Sequence, residues 1–163
     1  MVALTIKGFF LDQDKMPIVV LYDPSGQRIL PIWIGPAEAS AIIVELQEIK
    51  TPSPSTHDLL AGHFQRHGFR MDRLEIYGRR DAHLYAARII YHRLWMRYIL
   101  EVRPSDGLAL AVRLKAPILA TEELLAAAHF PALLHFLGDA SKGVLFLNAS
   151  QKVSASADRQ PFN

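Results

Sequence analysis

The segment that decides the fold is residues 94–103, which read LWMRYILEVR. Its side chains form two alternating sets: Leu94, Met96, Tyr98, Leu100 and Val102 in one, and Trp95, Arg97, Ile99, Glu101 and Arg103 in the other. A period of two residues is typical of a β-strand, whose successive side chains point to opposite faces of a sheet. Two strand-like runs precede it, Phe69–Tyr77 and His83–Tyr91, with only short turns between. We therefore predict an antiparallel meander of three strands.

The first third of the chain predicts further strands. Val2, Leu4 and Ile6 lie at alternate positions, and the polar residues 12–15 predict a turn. Pro17–Asp23 and Arg28–Ile34 are apolar on both faces, which is typical of central strands. Residues 24–26, Pro-Ser-Gly, predict a tight turn between these two strands.

Two helices are predicted between these strands and the meander. The first begins at Gly35-Pro36, because proline suits the first helical position. Its expected buried stripe consists of Ile42, Ile43, Leu46 and Ile49. Thr56 is expected to cap the second helix, and Gly68 lies just past its end.

Two more helices are predicted after the meander. One runs from Pro104 to Leu114; a short strand follows at Ala116–Ala120, and Thr121 caps the last helix. The predicted class is α+β: a mixed, largely antiparallel sheet with about four helices packed on it, in a single domain. Residues 129–147 are apolar enough to pack, and the tail from about residue 149 is expected to fray.

Composition excludes several classes of protein. The 163 residues contain no cysteine, which excludes a disulfide scaffold, a thiolate zinc site and a cysteine nucleophile. No apolar run approaches the roughly 18 residues of a membrane span, and residues 1–7 lack the basic start of a signal peptide. We therefore expect a cytoplasmic protein that binds no membrane. Because half of the residues are apolar, we also expect it to hide apolar surface in an oligomer.

The charge is unevenly distributed along the chain. Residues 66–113 carry ten arginines and no lysine against five acids, whereas residues 1–65 carry four basic and seven acidic residues. An arginine-only segment suits bidentate recognition of phosphate or carboxylate. Ion pairs between these arginines and the acidic first segment, within one chain or across a dimer, are an equally open interpretation.

Three extended segments run into helix starts that carry special residues. They are Ile34-Gly35-Pro36-Ala37-Glu38, Thr56-His57-Asp58 and Arg103-Pro104-Ser105-Asp106. Helix N-termini offer free N–H groups and favour anions. Carboxylates that converge there could hold a divalent cation or act as a general base. Ordinary helix capping selects the same Thr, Ser and Asp residues, and it remains an alternative.

The histidines and aromatic residues allow further interpretations. His57 suits proton transfer to a leaving oxygen, although a bond to a backbone carbonyl would also explain it. His63 and His67 are four apart on one predicted helix, but without a third ligand we interpret them as surface residues. Cations and aromatics alternate in a set that suits either an oligomer interface, which we favour, or base stacking: Arg88, Tyr91, Arg93, Trp95, Arg97 and Tyr98.

Together these motifs resemble the bifunctional nuclease domain family. The likeness covers about residues 1–127 and rests on three stretches: residues 30–39 (LPIWIGPAEA), residues 56–59 (THDL) and residues 103–118, which begin RPSD. It implies a compact α+β domain, usually dimeric, with nuclease activity on DNA and RNA. Two positions depart from the family pattern: Ser53 stands where an arginine is usual, and Gly107 where an alanine is usual. Residues 128–163 lie outside the likeness.

With this resemblance, the first hypothesis is a nuclease with little sequence preference. The expected phosphate-binding residues are Arg103, Ser105 and Thr56. The acids expected to bind Mg²⁺ or Mn²⁺, or to activate water, are Glu38, Asp58 and Asp106, and His57 would protonate the leaving oxygen. The second hypothesis is a non-catalytic dimeric binding or regulatory module, in which the same residues form a buried ion-pair network. A pocket for a small anionic ligand is a third, weaker interpretation.

Overall fold

A computed structural model describes residues 1–25, 28–79 and 85–127. Their strands are β1 (Val2–Leu11), β2 (Pro17–Asp23), β3 (Arg28–Trp33), β4 (Arg70–Arg79), β5 (Tyr85–Arg93), β6 (Met96–Val102) and β7 (Ile118–Ala120). Their helices are α1 (Pro36–Leu46), α2 (Thr56–Arg66), α3 (Pro104–Leu114) and α4 (Glu122–Ala127). The predictions for His83 and for residues 128–163 lie outside the described residues.

The strands form one seven-stranded sheet in the order β3-β2-β1-β7-β4-β5-β6. The pairing of β4 with β7 is parallel, and the other pairings are antiparallel. The structure thus confirms the α+β class, the mixed, largely antiparallel sheet and the four helices. In the described part of the chain, no helix has the length and apolar character needed to cross a membrane.

The predicted meander is present at one end of the sheet. Glu75 of β4 lies opposite Arg88 of β5, which in turn lies opposite Glu101 of β6. In this register, Glu75 accepts hydrogen bonds from Arg73 and Arg88, and the Tyr77 hydroxyl donates to Glu101. Alternation in the sequence was therefore a sound guide to strand pairing in this region.

The opposite end of the sheet differs from the prediction. The prediction that Arg28–Ile34 forms a central strand is wrong, because β3 is the edge strand and only β2 is central. Leu30 and Ile32 of β3 are nevertheless buried, and Arg28 pairs with Glu122 of α4 at this edge. Burial on both faces makes an edge strand look central in sequence. Pro31, which has no N–H to donate, is compatible with an edge position.

The first helix is shorter than predicted. It ends at Leu46, and a left-handed turn at Glu48 (φ 53°) follows. Ile42 is fully buried, Ile43 and Leu46 are half-buried, and Ile49 lies beyond the helix and is exposed. Ile49 is therefore not part of the buried stripe.

The third helix packs close to the sheet through Gly107. A Cβ atom at this position would overlap Leu74 Cδ1 and lie 3.2 Å from Val102 Cγ2. The absence of a side chain at Gly107 therefore has a packing role, since it lets α3 approach β4 and β6. This approach brings the start of α3 towards the starts of α1 and α2.

Candidate active site

The three helix starts meet around Arg103. Its Nη2 atom lies 3.2 Å from Glu38 Oε1 at the start of α1. Its Nε and Nη2 atoms bind the two carboxylate oxygens of Asp106 at 2.7 and 3.0 Å. His57 Nε2, from the start of α2, lies 3.6 Å from Asp106 Oδ1. Glu38, His57, Arg103 and Asp106, which we call the helix-start cluster, thus come from segments far apart in the chain.

The start of α1 is shaped to hold the Glu38 carboxylate. Gly35 is the N-cap residue, Pro36 opens the helix, and Glu38 lies in its first turn. A Cβ atom at Gly35 would overlap Glu38 Oε2. The absence of a side chain at Gly35 therefore leaves the space into which the Glu38 side chain folds.

The start of α3 sets the position of Arg103. Strand β6 ends at Val102, and Arg103 continues in extended conformation (φ −69°, ψ 144°) as the N-cap of α3. Pro104 opens the helix, and Asp106 lies in its first turn. The hydrogen bond to Asp106, with attraction from Glu38, raises the pKa of Arg103 above its ordinary value, so the guanidinium stays charged. Its fork thus remains available as a cationic donor.

The start of α2 is a capping box, and its N-cap is Ser55. The Ser55 hydroxyl accepts from the Asp58 N–H at 3.2 Å, and Asp58 Oδ2 accepts from the Ser55 N–H at 2.6 Å. The prediction that Thr56 caps this helix is therefore wrong; Thr56 is the first helical residue and is exposed. The reciprocal pair needs an acid three residues after the cap, and Asp58 stands in that position only for Ser55.

Asp58 is also tied to α3 through Arg113. Arg113 Nε donates to Asp58 Oδ1 at 2.6 Å, and its Nη1 donates to the Ala109 carbonyl at 3.0 Å. The backbone hydrogen bond from Ser55, followed by the bond from Arg113, lowers the pKa of Asp58 to about 2. One carboxylate oxygen thus holds α2 against α3 and the other caps α2, which fixes the backbone at the neighbouring His57.

Sequence reasoning missed the contribution of Arg113. Its side chain is only 4% exposed, although arginine is rarely buried without a partner. A signal was available, because Arg113 directly follows the apolar run 108–112 inside a helix. What the sequence could not supply is its partner, which lies 55 residues earlier.

A cleft of about 590 Å³ opens beside the helix-start cluster. Glu38, Arg103 and Ser105 line it, together with Trp33 and Tyr85. The Trp33 indole N–H donates to Asp12 Oδ2 at 3.2 Å, which fixes the orientation of the ring. Asp106 and His57 are not among the residues that line the cleft: Asp106 is linked to it through Arg103, and His57 through its 3.6 Å contact with Asp106.

The exposure of the cluster combines features of both sequence hypotheses. The side chain of Arg103 is 68% exposed and that of Asp106 35%, whereas Glu38 and His57 are each 19% exposed. Mutual pairing is what a structural network requires, and access from solvent is what a catalytic site requires. The cluster has both properties.

The acids of the cluster offer two ligands for a cation. Within residues 1–25, 28–79 and 85–127, no group of three or more His, Asp or Glu side chains is arranged to hold a metal ion. Mg²⁺ commonly uses only one or two carboxylates, with water and substrate phosphate as its other ligands. Glu38 and Asp106, which share Arg103, fit that smaller requirement. His63 and His67, with ring centroids 4.4 Å apart, are both exposed.

Several arginines of the basic segment pair within the fold. Arg103 reaches Glu38 and Arg113 reaches Asp58, both in the acidic first segment, while Arg88 pairs with Glu75. Part of the arginine excess is therefore used in ion pairs inside one chain. The aromatic residues of this segment also contact one another, with Tyr91 and Tyr98 stacked at 5.2 Å.

The fold and site define an α+β domain whose helix starts converge on an open cleft. The chain belongs to the bifunctional nuclease domain family, because the model of that domain matches residues 19–132. It is also 34% identical over 124 residues to uncharacterized proteins of Mycobacterium tuberculosis strains H37Rv and CDC 1551 / Oshkosh. Each alignment covers 76% of this chain and 73% of the relative. The family resemblance inferred from the three motifs is thereby confirmed.

Proposed function

We propose that this protein is a nuclease that hydrolyses phosphodiester bonds of DNA, RNA or both, with little sequence preference. The observation that carries the proposal is the position of Arg103, which lines an open cleft and contacts both Glu38 and Asp106, with His57 next to Asp106. Membership of the bifunctional nuclease domain family supports the reaction class.

Arg103 is the residue that would hold the scissile phosphate. A guanidinium presents five N–H donors in a planar fork that matches phosphate oxygens. Because the side chain is largely exposed, a phosphate in the cleft can reach donors that Asp106 and Glu38 leave available. The hydroxyl of Ser105, which lines the cleft, would add a further donor. Thr56 is exposed at the start of α2 and is not a lining residue, so it would bind a phosphate that extends beyond the cleft.

The acids and His57 would move the protons of the reaction. Asp106 or Glu38 would accept a proton from a water molecule while the oxygen of that water attacks phosphorus, and the bond from phosphorus to the leaving oxygen would break. His57 gives that leaving oxygen a proton. Asp106 Oδ1, which lies 3.6 Å from His57 Nε2, would attract the protonated ring. Asp58 suits a positioning role, because both of its oxygens are already engaged.

A divalent cation fits the pair formed by Glu38 and Asp106. With Arg103 they form a group of net charge −1, which an anionic substrate would find unfavourable unless a cation were added. Glu38 and Asp106 would hold Mg²⁺ or Mn²⁺, which would supply positive charge near the phosphate oxygens. Arg103, no longer held by both acids, would then turn to the substrate.

The cleft favours a single strand over a duplex. Trp33 and Tyr85 give it aromatic walls, and aromatic side chains bind unpaired bases by stacking with little sequence preference. A base in the cleft and its phosphate on Arg103 would account for both the apolar and the charged parts of the site.

We further propose that the protein acts in the cytoplasm as a homodimer.

The alternative function is a non-catalytic dimeric binding or regulatory module with the same fold. The mutual pairing of Glu38, Arg103 and Asp106 favours it, because ion pairs can hold helix starts together without any reaction. Under this alternative, loss of Asp106 lowers the melting temperature and leaves no cleavage to lose.

The test is cleavage of single-stranded DNA and RNA by the purified protein, with Mg²⁺, with Mn²⁺ and with a chelator. Wild type is compared with His57→Ala, and with Glu123→Ala as a matched control. Like Glu38 and Asp106, Glu123 is an acid in the first turn of a helix, but that helix is α4, which lies outside the site. The proposal expects cleavage by wild type and Glu123→Ala and loss in His57→Ala. Undiminished cleavage by His57→Ala would remove His57 from the mechanism, and no cleavage by wild type would favour the binding module.

A further inference from the structure

Exposed apolar side chains are concentrated along β6 and the turn before it. Leu94, Trp95, Met96, Ile99 and Leu100 are between 50% and 87% exposed. Scattered single apolar residues are normal on a protein surface, but a contiguous group indicates an interaction site. This group, which we call the β6 edge, is therefore a candidate interface.

The side chains of the β6 edge lie at the open end of the sheet. Strand β6 pairs with β5 on one side, and no described strand pairs with its other side. Natural edge strands are normally protected by proline, charge or covering segments. The opposite edge has such protection, since β3 contains Pro31 and its apolar residues are buried or half-buried. Strand β6 has no proline, and most of its exposed large side chains are apolar, so it is suited to pairing with a strand whose charges complement its own.

The charges on β6 identify the partner strand as a second copy of itself. Arg97 and Glu101 lie at equivalent distances on either side of Ile99. Two antiparallel copies related by a two-fold axis through Ile99 therefore place each Arg97 opposite the other copy's Glu101. Opposite charges in directly facing positions stabilise a sheet, whereas like charges destabilise it.

Neighbouring registers lack this complementarity. A two-fold axis perpendicular to the sheet leaves each side chain on the same face in both copies. Residues that lie directly opposite each other must also share a face, and neighbouring residues of one strand do not. The axis must therefore pass through a residue and not between two residues. An axis through Tyr98 places Arg97 opposite Ile99, and an axis through Leu100 places it opposite Arg103. The register centred on Ile99 is thus the one that pairs the charges.

We propose that a second copy of the chain docks on β6 in antiparallel orientation, centred on Ile99, so that one sheet runs through both subunits. The inference rests on the homodimer of the proposed function and locates its interface. The last pair of this register is Met96 with Val102 of the second copy, and it brings the adjoining turn residue Trp95 towards Arg103 of the other copy. Each subunit would then bring an aromatic ring beside the phosphate-binding residue of the other.

The absence of cysteine from the chain allows a direct test of the register. In the proposed dimer, Ile99 faces its own copy at a Cα separation of about 4.5–5.5 Å, within the range that a disulfide spans. Ile99→Cys should give a covalent dimer under mild oxidation, seen on a non-reducing gel. Met96→Cys is the matched control, because its two copies would lie roughly 20 Å apart along the strands. No cross-link in Ile99→Cys, or equal cross-linking in both variants, would overturn the proposal.

A charge exchange tests the same register in solution. Arg97→Glu alone and Glu101→Arg alone each create two like-charge contacts in the dimer, so light scattering should find fewer dimers than in wild type. Mixing the two variants restores two opposite-charge contacts and should restore the dimer. A mixture no more dimeric than its components would contradict the register. Neither readout involves cleavage, so this inference and the nuclease proposal can fail separately.

Discussion

Asp58 and Arg113 share a hydrogen bond of 2.6 Å, from Arg113 Nε to Asp58 Oδ1, that joins the start of α2 to the last turn of α3. The other oxygen of Asp58 caps α2 by accepting the Ser55 N–H. One carboxylate thus holds two helices in place directly beside His57. The geometry of the helix-start cluster therefore depends on an acid that we assign to positioning.

Asp58→Asn should remove part of the acid sensitivity of folding. The Asp58 pKa falls from 3.8 in a model compound to about 2 in the folded protein, so its ionised form stabilises the fold above about pH 4. That contribution, about 1 kcal/mol for a partly exposed carboxylate, is lost as the pH falls from 4 to 2. Urea unfolding of both proteins from pH 7 to pH 2 measures it. An identical pH dependence in wild type and Asp58→Asn would contradict the assignment.

His57→Ala should reduce cleavage about 100-fold, which is typical for loss of a general acid. The melting temperature should change little, because the described contact of the His57 side chain is the long one to Asp106. His63→Ala, an exposed histidine on the same helix, is the control and should cleave like wild type. Equal activity of the two variants would remove His57 from the mechanism.

Gly35→Ala should impair cleavage through the position of Glu38. The added Cβ overlaps the Glu38 carboxylate, which is the flexible end of its side chain, so the acid moves while the backbone stays. Gly62→Ala is a matched control, because its Cβ meets nothing within 4 Å. This control should retain activity and gain about 0.5–1 kcal/mol of stability. Full activity in Gly35→Ala would indicate that the position of Glu38 does not matter.

The fluorescence of Trp33 should report a base in the cleft. The chain has two tryptophans, so Trp95→Phe leaves Trp33 as the single reporter. Titration with a nucleoside monophosphate should change its emission in a saturable way, because a stacked base contacts the ring. Ribose phosphate, which has no base, should leave the emission unchanged. The same response to both compounds would contradict the base site.

The structure agrees best with the sequence where local pattern determines the outcome. Alternation predicted β4–β6, and proline with flanking residues predicted α3 at its observed bounds, Pro104–Leu114. The prediction was wrong at Arg28–Ile34, because apolar residues on both faces occur in a covered edge strand as well as in a central strand. The Ser55 cap was readable from its spacing to Asp58, but two adjacent hydroxyl residues compete for that role, and we chose Thr56.

The site was predictable in its residues and not in its geometry. The three motifs contain every member of the helix-start cluster, and each helix start could be located from its Gly-Pro, Thr-His or Arg-Pro pair. That Arg103 touches Glu38, 65 positions earlier in the chain, depends on how α1 and α3 pack. Such contacts arise from the tertiary fold, which no local pattern encodes.

The most direct test of the nuclease proposal is kcat/KM for cleavage of a single-stranded oligonucleotide by Asp106→Asn. This substitution keeps the size of the side chain but removes the charge that contacts both Arg103 and His57. We predict a loss of at least about 100-fold, with a folded protein by circular dichroism and unchanged activity in Glu123→Gln. Wild-type activity in folded Asp106→Asn would contradict the account.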